Sequence, residues 1–215
     1  MDQNLLISAF STLFVTVDPV GLAPIFLALT HDLTSPERRK VAWLSCVIAF
    51  CVLGLAAIGG KALLGALGIS LDAFRIAGGL FLFYTGFEML FEMRQPRRQS
   101  HAKTAVGIDH IKNIAAFPLA IPLMAGPGSI TATILLASRT QGDLMNFVGV
   151  LATIFAVVLL TYITFILAGI INKALGQMGR IIVTRLLGLL LGALAVQFIA
   201  DGVKSLAAGG VGVLS

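Results

Sequence analysis

The sequence predicts an all-α membrane protein with six transmembrane helices, and three observations predict it. The composition is 58% hydrophobic and 12% charged, with a mean hydropathy of +0.98 that is not that of a soluble domain. Six stretches are apolar over the roughly 20 residues that a helix needs to cross the hydrocarbon core. Two of these stretches are interrupted near their middle by proline and glycine. Since no barrel-type alternation is present, the apolar stretches are expected to be helices, whose backbone amides are paired internally.

The predicted spans follow one another with short connections. They cover residues 5–29, 41–60, 70–91, 114–138, 145–171 and 181–207. We expect the first to be retained as a span, because it lacks the basic start of a cleavable signal and its apolar run is too long. Residues 92–112 form the longest polar stretch, so we predict a first repeat over 1–91, a cytoplasmic basic linker over 92–112 and a second repeat over 113–215.

The basic residues predict the orientation. Eleven fall on one side of the predicted membrane: Arg38, Arg39, Lys40, Arg94, Arg97, Arg98, Lys103, Lys112, Lys173, Arg180 and Arg185. Four fall on the other: Lys61, Arg75, Arg139 and Lys204. The positive-inside rule places the first group in the cytoplasm, so both termini are predicted to lie outside. The net charge of +5 is therefore a topology signal and does not indicate a nucleic-acid partner.

The two halves of the chain show the marks of an inverted repeat. Three spans per half make the second half enter the membrane from the opposite side. Pro19 and Pro127 interrupt corresponding spans 108 residues apart, and Arg75 and Arg185 begin corresponding spans 110 residues apart. We therefore predict two inverted three-helix repeats with the first and fourth helices broken mid-membrane. Broken helices in matching positions are the best sequence-level indication of a transporter's binding site.

The first break carries an acid. Pro19 suits the first position of a helix, and Asp18 directly before it is a typical N-cap residue. An ionisable residue at that depth costs about 2.5–3.5 kcal/mol on insertion scales, which makes it a candidate for function. We predict that Asp18, Pro19 and Gly21 contribute to a substrate site, with pure helix capping as the alternative for Asp18.

The second break has no acid and offers donors. The amides of Gly128, Ser129 and Ile130 are predicted to face a cavity, and a helix N-terminus with free N–H groups binds anions. Hydroxyl groups follow at Thr131 and Thr133. The predicted substrate-binding residues here are Gly126, Pro127, Gly128, Ser129, Ile130 and Thr131. An acceptor at one break and donors at the other would fit a zwitterion, whereas kinks used only for packing are the alternative.

Three further polar residues are candidates for gating or anchoring. Arg75 and Arg185 begin spans on opposite sides, where either snorkelling or gating would explain them, and Gln197 lies deep in the sixth span. Gly188 and Gly192 predict a close helix contact, within the bundle or between the subunits of a homo-oligomer. The histidines and cysteines show no ligand spacing, so no metal or cofactor is predicted beyond a coupling H⁺ or Na⁺. The spans contain no catalytic constellation, so no enzyme is predicted.

Four segments resemble the MarC family of bacterial integral membrane proteins. They are DPVGLAPIF from Asp18, FRIAGG from Phe74, PLAIPLMAGPGSI from Pro118 and TRLLGLL from Thr184. The resemblance covers nearly the whole chain. It implies a six-span protein of the inner membrane that is distantly similar to LysE-type amino-acid exporters, and some members of the family are described as transporters of small neutral amino acids.

The predicted function is that of a secondary transporter or exporter of small metabolites, with small neutral amino acids as the favoured substrates. Asp18 would engage the ammonium group or a coupling H⁺ or Na⁺, and the amides of the second break would engage the carboxylate. The expected partners are the lipid bilayer and the small-molecule substrate. A passive channel and a non-transporting structural or regulatory membrane protein are the alternatives, and the sequence does not indicate the direction of transport.

Overall fold

A computed structural model describes residues 3–93, 111–140 and 142–210, and these residues are helical with no strand. The helices are α1 (Gln3–Val17), α2 (Pro19–Leu29), α3 (Ser35–Ala66), α4 (Leu71–Leu90), α5 (Ile111–Ile114), α6 (Pro127–Ser138), α7 (Leu144–Ile166) and α8 (Ala168–Gly210). The segment Ala115–Met124, here called the proline segment, joins α5 to α6. The predicted all-α class is confirmed. Most of the predicted linker 92–112 lies outside the described residues.

Four helical stretches are long and apolar enough to cross a membrane: α1 with α2, then α3, α7 and α8. The proline segment and α6 make a fifth if this bent pair is one span. The structure thus gives four to five of the six predicted spans within the described residues. The predicted span 70–91 corresponds to α4, which carries Asp72, Arg75 and Glu88 within its twenty residues. Charged side chains make a helix a poorer candidate for the hydrocarbon core.

Local capping chemistry fixes where several helices begin. The backbone N–H of Thr34 donates to the Glu37 carboxylate at 2.8 Å at the start of α3. The Ser70 hydroxyl accepts from the amide of Ala73 at 3.1 Å at the start of α4. Such caps satisfy amides that have no partner inside the helix, so these starts follow from the sequence.

The end of the chain departs from the predicted spans. Residues 172–180 were expected to form a loop between the spans 145–171 and 181–207, but α8 already begins at Ala168. Its path is interrupted at Gly176, where φ is 59° and ψ is −170°. Only glycine adopts this backbone conformation readily, so a bend takes the place of the loop.

Contacts between the two halves of the chain come in exchangeable pairs. In each pair, α1, α2, α3 and α4 of the first half take the places of the proline segment, α6, α7 and α8 of the second. Helix α3 packs against the proline segment and α6, and α7 packs correspondingly against α1 and α2. Helix α2 packs against α8, as α6 packs against α4. Two contacts are unchanged when the halves are exchanged, namely that of α3 with α7 and that of α4 with α8. The contacts of α1 with α6 and α8 have no equally extensive counterpart.

Helices α4 and α8 run antiparallel with their backbones in contact. A Cβ atom added to Gly86 would lie 2.8 Å from the carbonyl oxygen of Gly188, and one added to Gly79 would lie 2.9 Å from that of Ala195. One added to Gly202 would lie 3.0 Å from the carbonyl oxygen of Asp72. The close contact predicted from Gly188 and Gly192 is therefore formed within the bundle.

Candidate substrate site at the helix breaks

The first break is a single residue wide. Asp18 adopts the left-handed conformation, with φ 56° and ψ 67°, between α1 and α2. Its amide still donates to the Phe14 carbonyl at 2.9 Å, and its own carbonyl accepts from Leu22 at 3.1 Å. Aspartate is among the few residues that tolerate this conformation. These two hydrogen bonds therefore continue across the break, and α1 and α2 remain one candidate span.

The carboxylate of Asp18 caps α2 and is fully buried. Its Oδ1 accepts from the amide of Gly21 at 3.0 Å, and Pro19 occupies the first position of α2. The predicted helix restart is confirmed. A Cβ atom on Gly21 would lie 2.1 Å from Oδ2 of Asp18, so a side chain there would displace the carboxylate. Gly21 thus acts by leaving room for Asp18.

Two threonines in α1 extend this polar environment and were missed in the sequence. Thr12 and Thr16 are buried, and the Thr16 hydroxyl donates to the Thr12 carbonyl at 2.9 Å. Their spacing of four residues and their position just before Asp18 were the available signal, because residues at i and i+4 share a helix face. Both hydroxyls satisfy backbone carbonyls, since Thr12 donates to Ser8 at 2.7 Å.

The second break is much wider than the first. Phe117 and Ile121 are extended, with φ/ψ of −136°/123° and −123°/123°. Each precedes a proline, and the proline ring disfavours helical geometry in the preceding residue. The proline segment meets α6 at a bend of 59°. The interruption, predicted from Pro118, Pro122 and Gly126, therefore begins at Phe117.

The N-terminus of α6 has no side-chain cap. Gly126 stands in the capping position with φ −87° and ψ 174°, and Pro127 follows without an N–H group. Ile130 donates its amide to the Gly126 carbonyl at 2.9 Å, so the prediction that this amide faces a cavity is wrong. Gly128 and Ser129 precede that first intrahelical bond, and their amides have no side-chain cap. The donor group predicted from the sequence is thereby reduced from three amides to two.

The hydroxyl groups near this break have different roles. Ser129 donates to the carbonyls of Met124 at 2.7 Å and Gly126 at 3.0 Å, which closes the turn into α6. Thr131 directs its methyl group towards Gly78 of α4, where an added Cβ would lie 2.4 Å away. The buried hydroxyl of Thr133 has no hydrogen-bond partner in the described part of the chain. Among the described residues it is the one fully buried side-chain oxygen or nitrogen without a partner.

The two broken spans touch, because α1 packs against α6. A family model for MarC family integral membrane proteins matches residues 3–207. The chain belongs to the MarC family. This confirms the predicted resemblance and makes the protein an integral membrane protein by family.

Curated relatives within the MarC family are similar over almost their whole length. A UPF0056 membrane protein of Methanocaldococcus jannaschii is 37% identical over 204 residues, covering 95% of this chain and 98% of its own. One from Buchnera aphidicola is 34% identical, covering 95% and 94%. The relative named YvbG in Bacillus subtilis is 31% identical, covering 94% and 96%. These names state a membrane location and no activity. No solved structure matches this chain.

The three residues predicted to gate or anchor this MarC protein form contacts away from the breaks. Arg75 pairs with Asp72 at 3.1 Å, and Arg185 pairs with Glu92 at 2.5 Å. Gln197 donates to Asp201 at 2.7 Å. All three therefore belong to polar contacts near the ends of the α4–α8 pair. Within the described ranges, no group of three or more His, Cys, Asp or Glu side chains could hold a metal ion.

Proposed function

We propose that this MarC protein is a secondary transporter or exporter of small neutral amino acids, with the substrate bound between the two helix breaks. The observation that carries the proposal is the chemical difference between the breaks. The N-terminus of α2 is capped by the buried carboxylate of Asp18, whereas that of α6 has no side-chain cap. Asp18 would accept from the substrate ammonium or hold a coupling H⁺ or Na⁺. The amides of Gly128 and Ser129 would donate to the carboxylate.

The distribution of charge supports a neutral side chain in the substrate. Asp18 is the one charged residue between positions 3 and 30, and none lies between positions 113 and 138. A zwitterion would find one partner for each of its charges in these two spans. A lysine or glutamate side chain would bring a further charge without a partner in them, and an unpaired buried charge is costly.

The packing supports six spans in two inverted repeats, with α4 and α8 as the third span of each. The exchangeable contacts of α2, α3, α4, α6, α7 and α8 are those that a pseudo-two-fold axis would produce. The basic residues support a multi-pass inner-membrane protein with both termini outside. Under this topology the two breaks enter the membrane from opposite sides.

Purified protein in liposomes tests the proposed function. We expect saturable uptake of glycine and alanine that depends on an H⁺ or Na⁺ gradient and exceeds that of protein-free liposomes. Lysine and glutamate should compete poorly. Flux that never saturates would favour a passive channel. Absence of flux across a panel of neutral amino acids would overturn the proposal in favour of a structural or regulatory role.

Substitution at Gly128 tests the role of the second break. In Gly128→Ala the added methyl group would lie 3.5 Å from the Thr85 hydroxyl and 3.8 Å from Leu82, which is ordinary contact. The protein should therefore fold, while the methyl group obstructs the approach to the amide. We expect KM for glycine to rise about tenfold, which corresponds to about 1.4 kcal/mol.

The matched control is Gly54→Ala, because a Cβ atom at Gly54 has no neighbour within 4 Å. Its KM should equal that of the unaltered protein. An unchanged KM in Gly128→Ala would show that the substrate carboxylate binds elsewhere. Gly126→Ala is unsuitable for this test, since its Cβ would lie 2.5 Å from the Pro122 carbonyl oxygen and disturb the break itself.

A further inference from the structure

A polar cluster joins three helices where α4 begins and where α6 and α8 end. Ser205 of α8 donates to the Asp72 carboxylate at 2.8 Å, and Asp72 also pairs with Arg75. Arg139, directly after α6, pairs with Asp201 of α8 at 2.9 Å. Asp201 in turn accepts from Gln197. This network connects the far end of α6 to α8.

The Arg139–Asp201 pair is less exposed than an ordinary surface ion pair. The two side chains are 28% and 33% exposed, so water screens their attraction only in part. The guanidinium of Arg139 also lies 4.6 Å from the ring centroid of Phe198, which is buried. This contact adds cation–π attraction. Burial lowers the pKa of Arg139, Asp201 opposes this shift, and the charge of Arg75 adds to it.

The other end of α6, its N-terminus, lies at a bend in the chain. Here the proline segment, with its extended residues Phe117 and Ile121, meets α6 at 59°. The amides in the first turn of α6 have no side-chain cap. Along its length α6 packs against α4, where Thr131 fills the space above Gly78. A swing of α6 about the bend would therefore separate Thr131 from Gly78. It would also have to break the Arg139–Asp201 pair.

We propose that Arg139 and Asp201 form a latch, which holds α6 against α4 and α8 and closes access to the helix breaks from this side. On the predicted topology this is the outer side of the membrane. The inference rests on the proposed transport function for its purpose, since the latch must open once in each cycle. At the other end of the α4–α8 pair, Arg185 and Glu92 form a more exposed ion pair, with 52% and 38% of their side chains accessible.

Thiol labelling tests the latch without any transport measurement. The reporter is Thr131→Cys in a protein that also carries Cys51→Ser, so that the exposed native thiol is removed. The buried Cys46 is kept as an internal reference. Right-side-out vesicles are treated with a membrane-impermeant maleimide, and mass spectrometry follows each thiol separately. We expect Asp201→Asn to raise the labelling rate at position 131 about tenfold.

Two further variants separate the latch from general effects. Lys204→Gln removes a charge from the same end of α8 without touching the pair, so labelling should not change. The exchange of both partners, Arg139→Asp with Asp201→Arg, should restore protection because the attraction is re-formed in reverse. Restoration would not be expected if Asp201 acted only through the hydration of the helix end.

Each outcome bears on the proposal. Unchanged labelling at position 131 in Asp201→Asn would overturn the latch. An equal rise at Cys46 in detergent would overturn it too, because the bundle would then have loosened as a whole. Labelling could also rise at position 131 alone while the protein transports no amino acid into liposomes. That result would support the latch and contradict the proposed transport function.

Discussion

Asp18→Asn is expected to reduce amino-acid uptake at least ~10-fold while the protein still folds. The amide oxygen of asparagine can accept from Gly21 as the carboxylate does at 3.0 Å, and asparagine is as good an N-cap as aspartate. It also tolerates the left-handed backbone that Asp18 adopts. The substitution therefore removes the charge and little else. A hydrogen bond to a charged group contributes about 1.5–3 kcal/mol, so kcat/KM should fall by roughly 10- to 100-fold.

The measurement is kcat/KM for glycine and alanine in liposomes, together with thermal stability in detergent. Asp143→Asn is the matched control, because Asp143 also caps a helix, accepting from Met145 at 2.8 Å, but lies exposed at the start of α7. Uptake should survive in that variant. Full-rate uptake by Asp18→Asn would leave the carboxylate as a cap without a part in transport. Asp18→Ala should in addition lower stability, since the cap is lost.

The first break could be predicted to the residue because its geometry is decided locally. Asp18 and Pro19 are neighbours, and the preferences of an N-cap acid and a first-turn proline act within one helical turn. A close helix contact at Gly188 was predictable for a similar reason, since small residues four apart make one smooth helix face. Its partner, α4, was not predicted.

The second break was harder to predict because the signals conflict. Pro118 and Pro122 indicate that Phe117 and Ile121 are extended, but they lie in an apolar run that otherwise resembles one continuous span. The first intrahelical bond of α6, from Ile130 to Gly126, was assigned to the ligand because helix starts are uncertain by a residue or two.

The partners in the polar cluster could not be predicted from the sequence. Arg139 and Asp201 lie 62 residues apart, and each was a charge at the end of an apolar stretch. Their pairing depends on the placement of α6 beside α8, which no local preference encodes. Arg75 and Arg185 were predicted as gates or anchors without their acidic partners, Asp72 and Glu92, for the same reason.

Gly188→Ala should destabilise the bundle by about 1–3 kcal/mol, the usual effect of overpacking a close contact. The added Cβ would lie 2.8 Å from the Gly86 carbonyl oxygen and 3.1 Å from the amide of Leu90. These neighbours are backbone atoms, so they cannot move aside without separating α4 from α8. Thermal stability in detergent should show the loss.

Gly192→Ala, four residues further along α8, is the matched control. A Cβ atom there would meet nothing within 4 Å, and alanine is preferred to glycine inside a helix by roughly 0.5–1 kcal/mol. Gly192→Ala should therefore be neutral or slightly stabilising. Equal effects of the two alanines would contradict a backbone contact at Gly188. Asp201 of the latch lies on α8, whose position beside α4 depends on this contact. Gly188→Ala should therefore also speed labelling at position 131, whereas Gly192→Ala should not.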